Sequence, residues 1–372
     1  MANKVLGIYL DKSSLKLVEL EQQANNNYVL LKWAVDYFKS EKTDEVQVKA
    51  LAKAMKTNSI SSRQAIVVLS SQNLIYKLVE LPIIPDKEVA SALKFKLESL
   101  LAVSIADYAF SYYKLGLQKK VAGKNIYFVA AMAKTKILDI IKTIKKNGIS
   151  IKEIIPSSCA LQSSSGVVDK DPHALIYLGK SSTIIVLVKQ GQAVFAREVN
   201  VGGDSITQSM VGVVQTETGR LEFDFVQAEK LKDTFGIPLD LAEYTKVAGV
   251  PGSEVLAMMR PALEKIGAEI LRTFDYYKEA SVDIVEFSKI YLTGGVSQTK
   301  NLPIFFAEEL GIDAQIMPLK INSSAKEFSA ASAYLSLPLG AASILKKTYL
   351  SLLPFEIKYA FQLGLKKIFN FW

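Results

Sequence analysis

The chain has 372 residues, a formal net charge of +8, one cysteine and one histidine, with 49% hydrophobic and 22% charged residues. That length exceeds what one ordinary core serves and implies two α/β lobes, while the composition excludes a disordered chain. A single cysteine excludes an intrachain disulfide and suits a reducing cytosol, and with one histidine neither a metal site nor a nucleophile–base pair can be assembled.

The chain runs straight from Met1 into a strand at 5–10, with no apolar signal segment. A second strand at 15–20 completes a hairpin, and 28–38 reads as the third strand of a meander. Apolar residues at helical spacing mark 46–58 as a helix, and 64–70 is a buried strand. The next part, about 74–154, reads β-α-β-β-α, as a small insertion in the first lobe. It begins with a strand at 74–81 that stops at Pro82. Asp86 is placed to cap a helix over 87–102, with Val89, Leu93, Leu97 and Leu100 on one face. Strands at 108–117 and 125–133 pair across a lysine-rich turn, and a helix at 136–147 closes on Gly148 in a left-handed cap. Residues 154–165 cross between the lobes, with Cys159 as a buried helix residue and His173 in a linker.

The second half restates the first hairpin. Ile8-Tyr9-Leu10-Asp11-Lys12-Ser13-Ser14 returns as Ile176-Tyr177-Leu178-Gly179-Lys180-Ser181-Ser182, with one position in seven changed. Each copy is a strand, a turn of small and polar residues, and another apolar run, a turn suited to cradling an anion. Two copies imply a duplicated α/β domain with hairpins facing across a cleft. A strand at 193–199 follows, then Gly202-Gly203-Asp204 opening a helix, a helix at 226–235 closed by Gly236, and a long helix within 251–281 that tolerates Pro261. A strand at 289–292 leads to Thr293-Gly294-Gly295 and a helix at 302–310, an arrangement that offers a phosphate contact or simply a tight turn. Residues 328–345 are the longest uncharged run, but Ser329, Ser332, Ser336, Ser343, Pro338 and Gly340 mark two short buried helices instead of a membrane span. The lysines at 114–152 and near the C-terminus carry no nucleic-acid motif and point to an anionic membrane surface.

Taken as an ordered series, these motifs resemble the FtsA and PilM family of the actin-like ATPase superfamily. The resemblance rests on Ser13 to Leu20, Leu81-Pro82, Arg197-Glu198 before Gly202-Gly203-Asp204, Ala228-Glu229-Lys230-Leu231-Lys232, Arg272 with Asp275-Tyr276-Tyr277, and Tyr291 to Gly295. It covers nearly the whole chain and implies an actin-like two-lobed fold, duplicated and ribonuclease-H-like, with an inserted subdomain. The lobes are expected at 1–173 and 174–347, with an outer subdomain at about 221–288 and a tail at 348–372. The resemblance places ATP or ADP, with or without magnesium, at Ser13, Ser14, Lys16, Gly179, Ser181, Ser182, Thr183, Gly202, Gly203, Glu229, Lys232, Gly294 and Gly295. Glu229 and Lys232 would otherwise be solvent-facing helix residues at an i, i+3 spacing.

The pattern departs in the two hairpins. The superfamily resemblance implies an aspartate where Tyr9 and Tyr177 stand, and a glycine where Asp11 stands. A neutral phenol with a pKa of about 10 does not orient a metal ion at pH 7, so no catalytic or metal-binding residue is assigned, and a nucleotide-free cleft stays open as a reading.

In the tail, Tyr349 to Glu356 resembles the leader of PilN, the membrane partner of the family, with Leu352, Leu353, Pro354 and Glu356 as its contacts. Beyond it Phe361, Leu365, Ile368 and Trp372 fall on one face of a basic amphipathic segment, suited to an anionic interface or to docking on its own lobe. The expected function is a cytoplasmic adaptor of a type IV pilus or type II secretion-like machine at the inner-membrane face, with a PilN-like partner and no ATPase activity. The rival is an active FtsA-like ATPase or self-associating filament in which Asp204 or Asp11 takes over metal binding.

Overall fold

The computed structural model describes all residues except 1–2, 12–13, 24–27, 39–43, 70–72, 116–122, 217–218, 243–248, 282–284, 322–325, 345–348, 355–356 and 359–372. The repeated hairpins become the centres of two sheets with the same plan. In the first, β1 (Asn3–Leu10), β2 (Ser14–Gln22) and β3 (Tyr28–Tyr37) form an antiparallel meander. Strand β4 (Gln64–Leu69) lies parallel to β1, and β8 (Ser150–Pro156) parallel to β4, giving the order β3-β2-β1-β4-β8. The second sheet repeats this with β9 (His173–Leu178), β10 (Thr183–Lys189), β11 (Gln192–Val199), β14 (Lys289–Thr293) and β15 (Asp313–Ile316), in the order β11-β10-β9-β14-β15. The apolar runs of β4, β9 and β10 are unbroken because both faces of these strands are covered.

Two helices exchange places between the sheets. Helix α4 (Ser157–Ser164) follows the first sheet but packs against β9, β10 and β11 of the second. Helix α9 (Lys326–Ala342) follows the second sheet but lies on β1, β2 and β4 of the first, and the two helices pack on each other. Glycines set how closely they meet. A Cβ on Gly7 of β1 would stand 1.8 Å from the Pro338 carbonyl oxygen, and one on Gly340 would stand 1.8 Å from that of Ala160. Helix α9 runs unbroken through Pro338 where two short helices were expected, because Leu335, Ser336, Leu337, Leu339, Gly340 and Ala341 all stay buried between partners. No helix among the described residues is long and apolar enough to cross a membrane.

The inserted elements are β5 (Ile75–Pro82), α2 (Asp86–Leu101), β6 (Tyr108–Lys114), β7 (Lys124–Ala133) and α3 (Lys134–Lys145), with the three strands in the order β5-β7-β6. The first four have a core of their own, in which Val79, Leu81, Val89, Leu93, Leu97, Ile105, Tyr127 and Val129 meet. The alternate residues of β7, Phe128, Ala130 and Met132, face the main core. Helix α3 turns its isoleucines Ile137, Ile141 and Ile144 into that main core, against β8 and α1 (Asp44–Thr57). Asp86 is the first residue of α2 and Pro85 holds the cap position, so Asp86 favours the helix through its charge in the first turn and not as the cap. Leu100 is 49% exposed, because Leu97 and Leu101, and not Leu100, meet the small core.

Two features were absent from the sequence reading. Strands β12 (Gly212–Thr216) and β13 (Gly219–Phe223) form a separate hairpin that leads into α6 (Phe225–Phe235), and the short edge strand β15 is too exposed to alternate. The long helix α7 (Gly252–Ser281) and α8 (Leu302–Leu310) complete the second half. His173 begins β9 and does not lie in a linker; it is buried edge-on against Tyr291, with Nδ1 2.8 Å from the Asp171 carbonyl.

Gly7→Ala and Gly340→Ala should each destabilise the protein by about 1–3 kcal/mol or more, read as a lower urea midpoint at unchanged slope, because backbone faces the added methyl on both sides.

Candidate functional site

The two hairpin turns face each other, and each is held by its own residues. In the first, Asp11 accepts from the Ser14 amide at 2.7 Å and from the Ser14 hydroxyl at 3.1 Å, while its own amide donates to the Ser14 carbonyl at 3.0 Å. The Asp11 carboxylate therefore braces the turn. In the second, the Gly179 amide donates to the Ser182 carbonyl at 2.9 Å, Ser182 donates to Glu198 at 2.9 Å, and Thr183 donates to the Val201 carbonyl at 2.7 Å.

Helix α5 (Gly203–Ser209) points its N-terminus at that second turn. Its first amides are taken by protein carbonyls: Gly203 donates to Gly179 at 3.0 Å and Asp204 to Lys180 at 2.8 Å. Gly202 is needed because a Cβ there would stand 2.6 Å from the Gly179 carbonyl oxygen. Gly294 adopts φ 91° with its Cβ position 2.3 Å from the Leu178 carbonyl oxygen, and Gly295 abuts the Tyr334 ring. Every described glycine expected to contact phosphate thus makes room for neighbouring parts of the chain.

Between the turns lies Lys16, almost fully buried, opposite Tyr9 in the β1–β2 register. Its Nζ donates to the Tyr177 hydroxyl at 2.5 Å and stands 5.4 Å from the Tyr9 ring centroid and 5.2 Å from that of Tyr177. The rings meet edge-on at 6.2 Å. Burial lowers the lysine to about 8, partly offset by the Asp11 charge, so it still holds its proton at pH 7. Burial first, then the charge of Asp11, pushes the Tyr177 phenol well above its usual range.

Glu229 and Lys232 come together on α6, but not as a solvent-facing pair. Lys232 is buried, donating to Thr207 at 2.9 Å and pairing with Glu229 at 3.2 Å, while Glu229 Oε2 lies 3.0 Å from the Thr207 hydroxyl. Thr207, Tyr37 and Tyr334 were missed by the sequence reading. Tyr37 could have been found from strand register, since it pairs with Ser14 across β2–β3. Lys180 stands 5.6 Å over its ring, and burial raises its phenol, with the Tyr334, Asp11, Glu229 and Asp233 groups adding to the shift. Lys180 also faces Asp204 at 3.9 Å. Ser14 is buried beside Asp11, Ser181 is exposed on the second turn, and Ser13 lies outside the described residues.

A magnesium-bound nucleotide does not fit this donor set. The two strand ends carry phenols, one of them bonded to an ammonium, and the leading amides of α5 are engaged. Among the described residues no three His, Cys, Asp or Glu side chains are grouped to hold a metal ion.

The tail lies elsewhere, along the first half. Leu350, Leu352, Leu353 and Pro354 are buried. The Leu352 amide donates to the Ile154 carbonyl of β8 at 2.8 Å, that of Ser351 to the Ser111 hydroxyl of β6 at 3.2 Å, and that of Leu350 to Cys159 Sγ of α4 at 3.4 Å. Lys358 closes the seat on Glu153 at 2.9 Å. Strands β6 and β8 are edges of their sheets; the tail bonds the edge backbone of β8 at Ile154 and a side chain of β6 at Ser111. Cys159 is buried here and its thiol pushed up to about 11. Glu356, Phe361, Leu365, Ile368 and Trp372 lie outside the described residues.

Two matching sheets, exchanged helices and facing hairpins define an actin-like two-lobed protein. A structure from a PilM–PilN type IV pilus biogenesis complex is similar, with a TM-score of 0.71 at 16% identity over 92% of this chain and 98% of that one. EutJ, the ethanolamine utilization protein of Carboxydothermus hydrogenoformans, gives 0.53 at 12% identity over 92% and 90%. MreB5 of Spiroplasma citri bound to AMPPNP gives 0.52 at 12% over 98% and 100%. The profile of the type IV pilus assembly protein PilM matches residues 7–223 and 225–333, and the chain belongs to that family.

Unfolding returns Lys16 to its ordinary value of 10.5 from about 8, so the unfolded chain binds the extra proton between those values. Stability of the wild type relative to Lys16→Met should therefore rise from pH 8 to 10.5, by up to ~3 kcal/mol in urea titrations, and be flat below pH 7.

Proposed function

We propose that this protein is a catalytically silent adaptor of a type IV pilus or related secretion machine, working at the cytoplasmic face of the inner membrane. The observation that carries this reading is the groove between β6, β8 and α4, filled by residues 349–354 with Lys358 paired to Glu153 at its end. It accepts an extended peptide whose own amides donate to the Ile154 carbonyl of β8, the Ser111 hydroxyl of β6 and Cys159 Sγ, and it buries Leu352 and Leu353 while Pro354 limits the ordering cost. The similar solved structure comes from a complex with PilN, which supports a PilN-like inner-membrane protein as the partner gripped there. The chain's own segment then stands in the groove as a tethered competitor or as the covalently joined leader itself.

The cleft supports the silent half of the proposal. Of the rival's carboxylates, Asp11 is spent on its own turn and Asp204 faces Lys180. The relative bound to AMPPNP shares the fold, and at 12% identity it carries no residue over to this cleft.

A free peptide of residues 349–358 should bind full-length protein carrying Leu353→Asp, which vacates the groove, and bind the wild type at least tenfold more weakly, because the tethered copy has the higher effective concentration. The same peptide with Leu353→Asp should not bind either protein. Equal affinity for both proteins would remove the groove from the argument.

Purified wild type should release phosphate from ATP no faster than a buffer blank. Magnesium-dependent turnover that disappears in Asp204→Asn would establish the enzyme reading instead.

A further inference from the structure

Lys16 is a charged side chain with 2% of its surface exposed, placed between strands from the two halves of the fold. A buried ammonium is tolerated only where other groups replace the water it has lost. Here they are the Tyr177 hydroxyl at 2.5 Å, the faces of Tyr9 and Tyr177 at 5.4 and 5.2 Å, and the nearby charge of Asp11. Tyr9 and Asp11 come with Lys16 from the first hairpin, whereas Tyr177 belongs to β9 of the second. The set is complete only while the hairpins face each other.

We infer that Lys16 is the resident cation of the interlobe cleft, a clamp that joins the two hairpins through Tyr177 and holds the lobes together without a bound ligand. The inference deepens the reading of a silent cleft and rests on it in one respect. A second cation placed against a buried ammonium meets strong repulsion in so poorly solvated a site, so the clamp and a divalent metal exclude each other. The clamp also gives Lys16 a partner inside the protein. A tyrosine at each end supplies a ring face, and one supplies the acceptor.

A double-mutant cycle in the full-length protein tests this by amide hydrogen exchange at residues 179–183 together with thermal unfolding. Tyr177→Phe strands the ammonium with one acceptor fewer and should speed exchange there at least about tenfold. Adding Lys16→Met removes the stranded charge, and the double variant should return to within about threefold of the wild type. Additive losses in the double variant, or unchanged exchange in Tyr177→Phe, would overturn the clamp. In a second arm, wild type with ADP should melt at the same temperature in magnesium chloride as in EDTA, and a magnesium-dependent rise would overturn the exclusion of a metal. Magnesium-dependent hydrolysis of ATP by the wild type would sink the silent reading together with the exclusion of a metal, while the cycle judges the contact between Lys16 and Tyr177 by itself.

Discussion

The closeness of α9 to β1 and α4 is the constraint on which the rest of the molecule depends. At Gly7 and Gly340 the backbones approach so nearly that a single methyl has no room. This lets a helix from the second half cover the first sheet while a helix from the first half covers the second. Neither sheet has a complete core without the other's helix. The two halves are therefore one cooperative structure at their junction, and the facing hairpins inherit their fixed separation from it.

That separation decides what the cleft can be. Among the described residues, groups that would suit an anion are satisfied within the chain: the leading α5 amides by turn carbonyls, Lys232 by Thr207 and Glu229, and Lys16 by Tyr177. Satisfied donors in a poorly solvated site are costly to free, so each such bond shifts the cleft from binding toward scaffolding. In this cleft the polar groups hold one another.

The peptide groove follows from the inserted elements. They leave β6 as an edge beside the β8 edge of the first sheet, and the Tyr113 hydroxyl of β6 donates to the Ala193 carbonyl of β11, so the insertion also contacts the second half. Unpaired strand edges with buried leucine seats between them form a site for an extended chain. A peptide in this groove therefore touches elements coupled to both lobes.

What the sequence determined by itself was local or repeated. The hairpin copies, the strand runs, the helix end at Gly236 and the glycine pairs are readable because turn chemistry and side-chain periodicity act over a few residues, whereas α3 stops at Lys145, before the turn that holds Gly148. The tyrosines at 9 and 177, one in each hairpin copy, were equally plain. Only the tertiary structure decided how the chain used them. Lys16 meets a hydroxyl 161 residues away, Lys232 is buried because Thr207 lies 25 residues earlier on another helix, and α9 stays one helix through Pro338 because partners on both sides bury it. His173 reads as a linker residue beside Pro172 but becomes the buried start of a central strand once β14 pairs with it. Periodicity reports which face of an element is apolar; which distant element covers that face, and which buried charge finds its partner there, is fixed only when the two sheets exchange their helices.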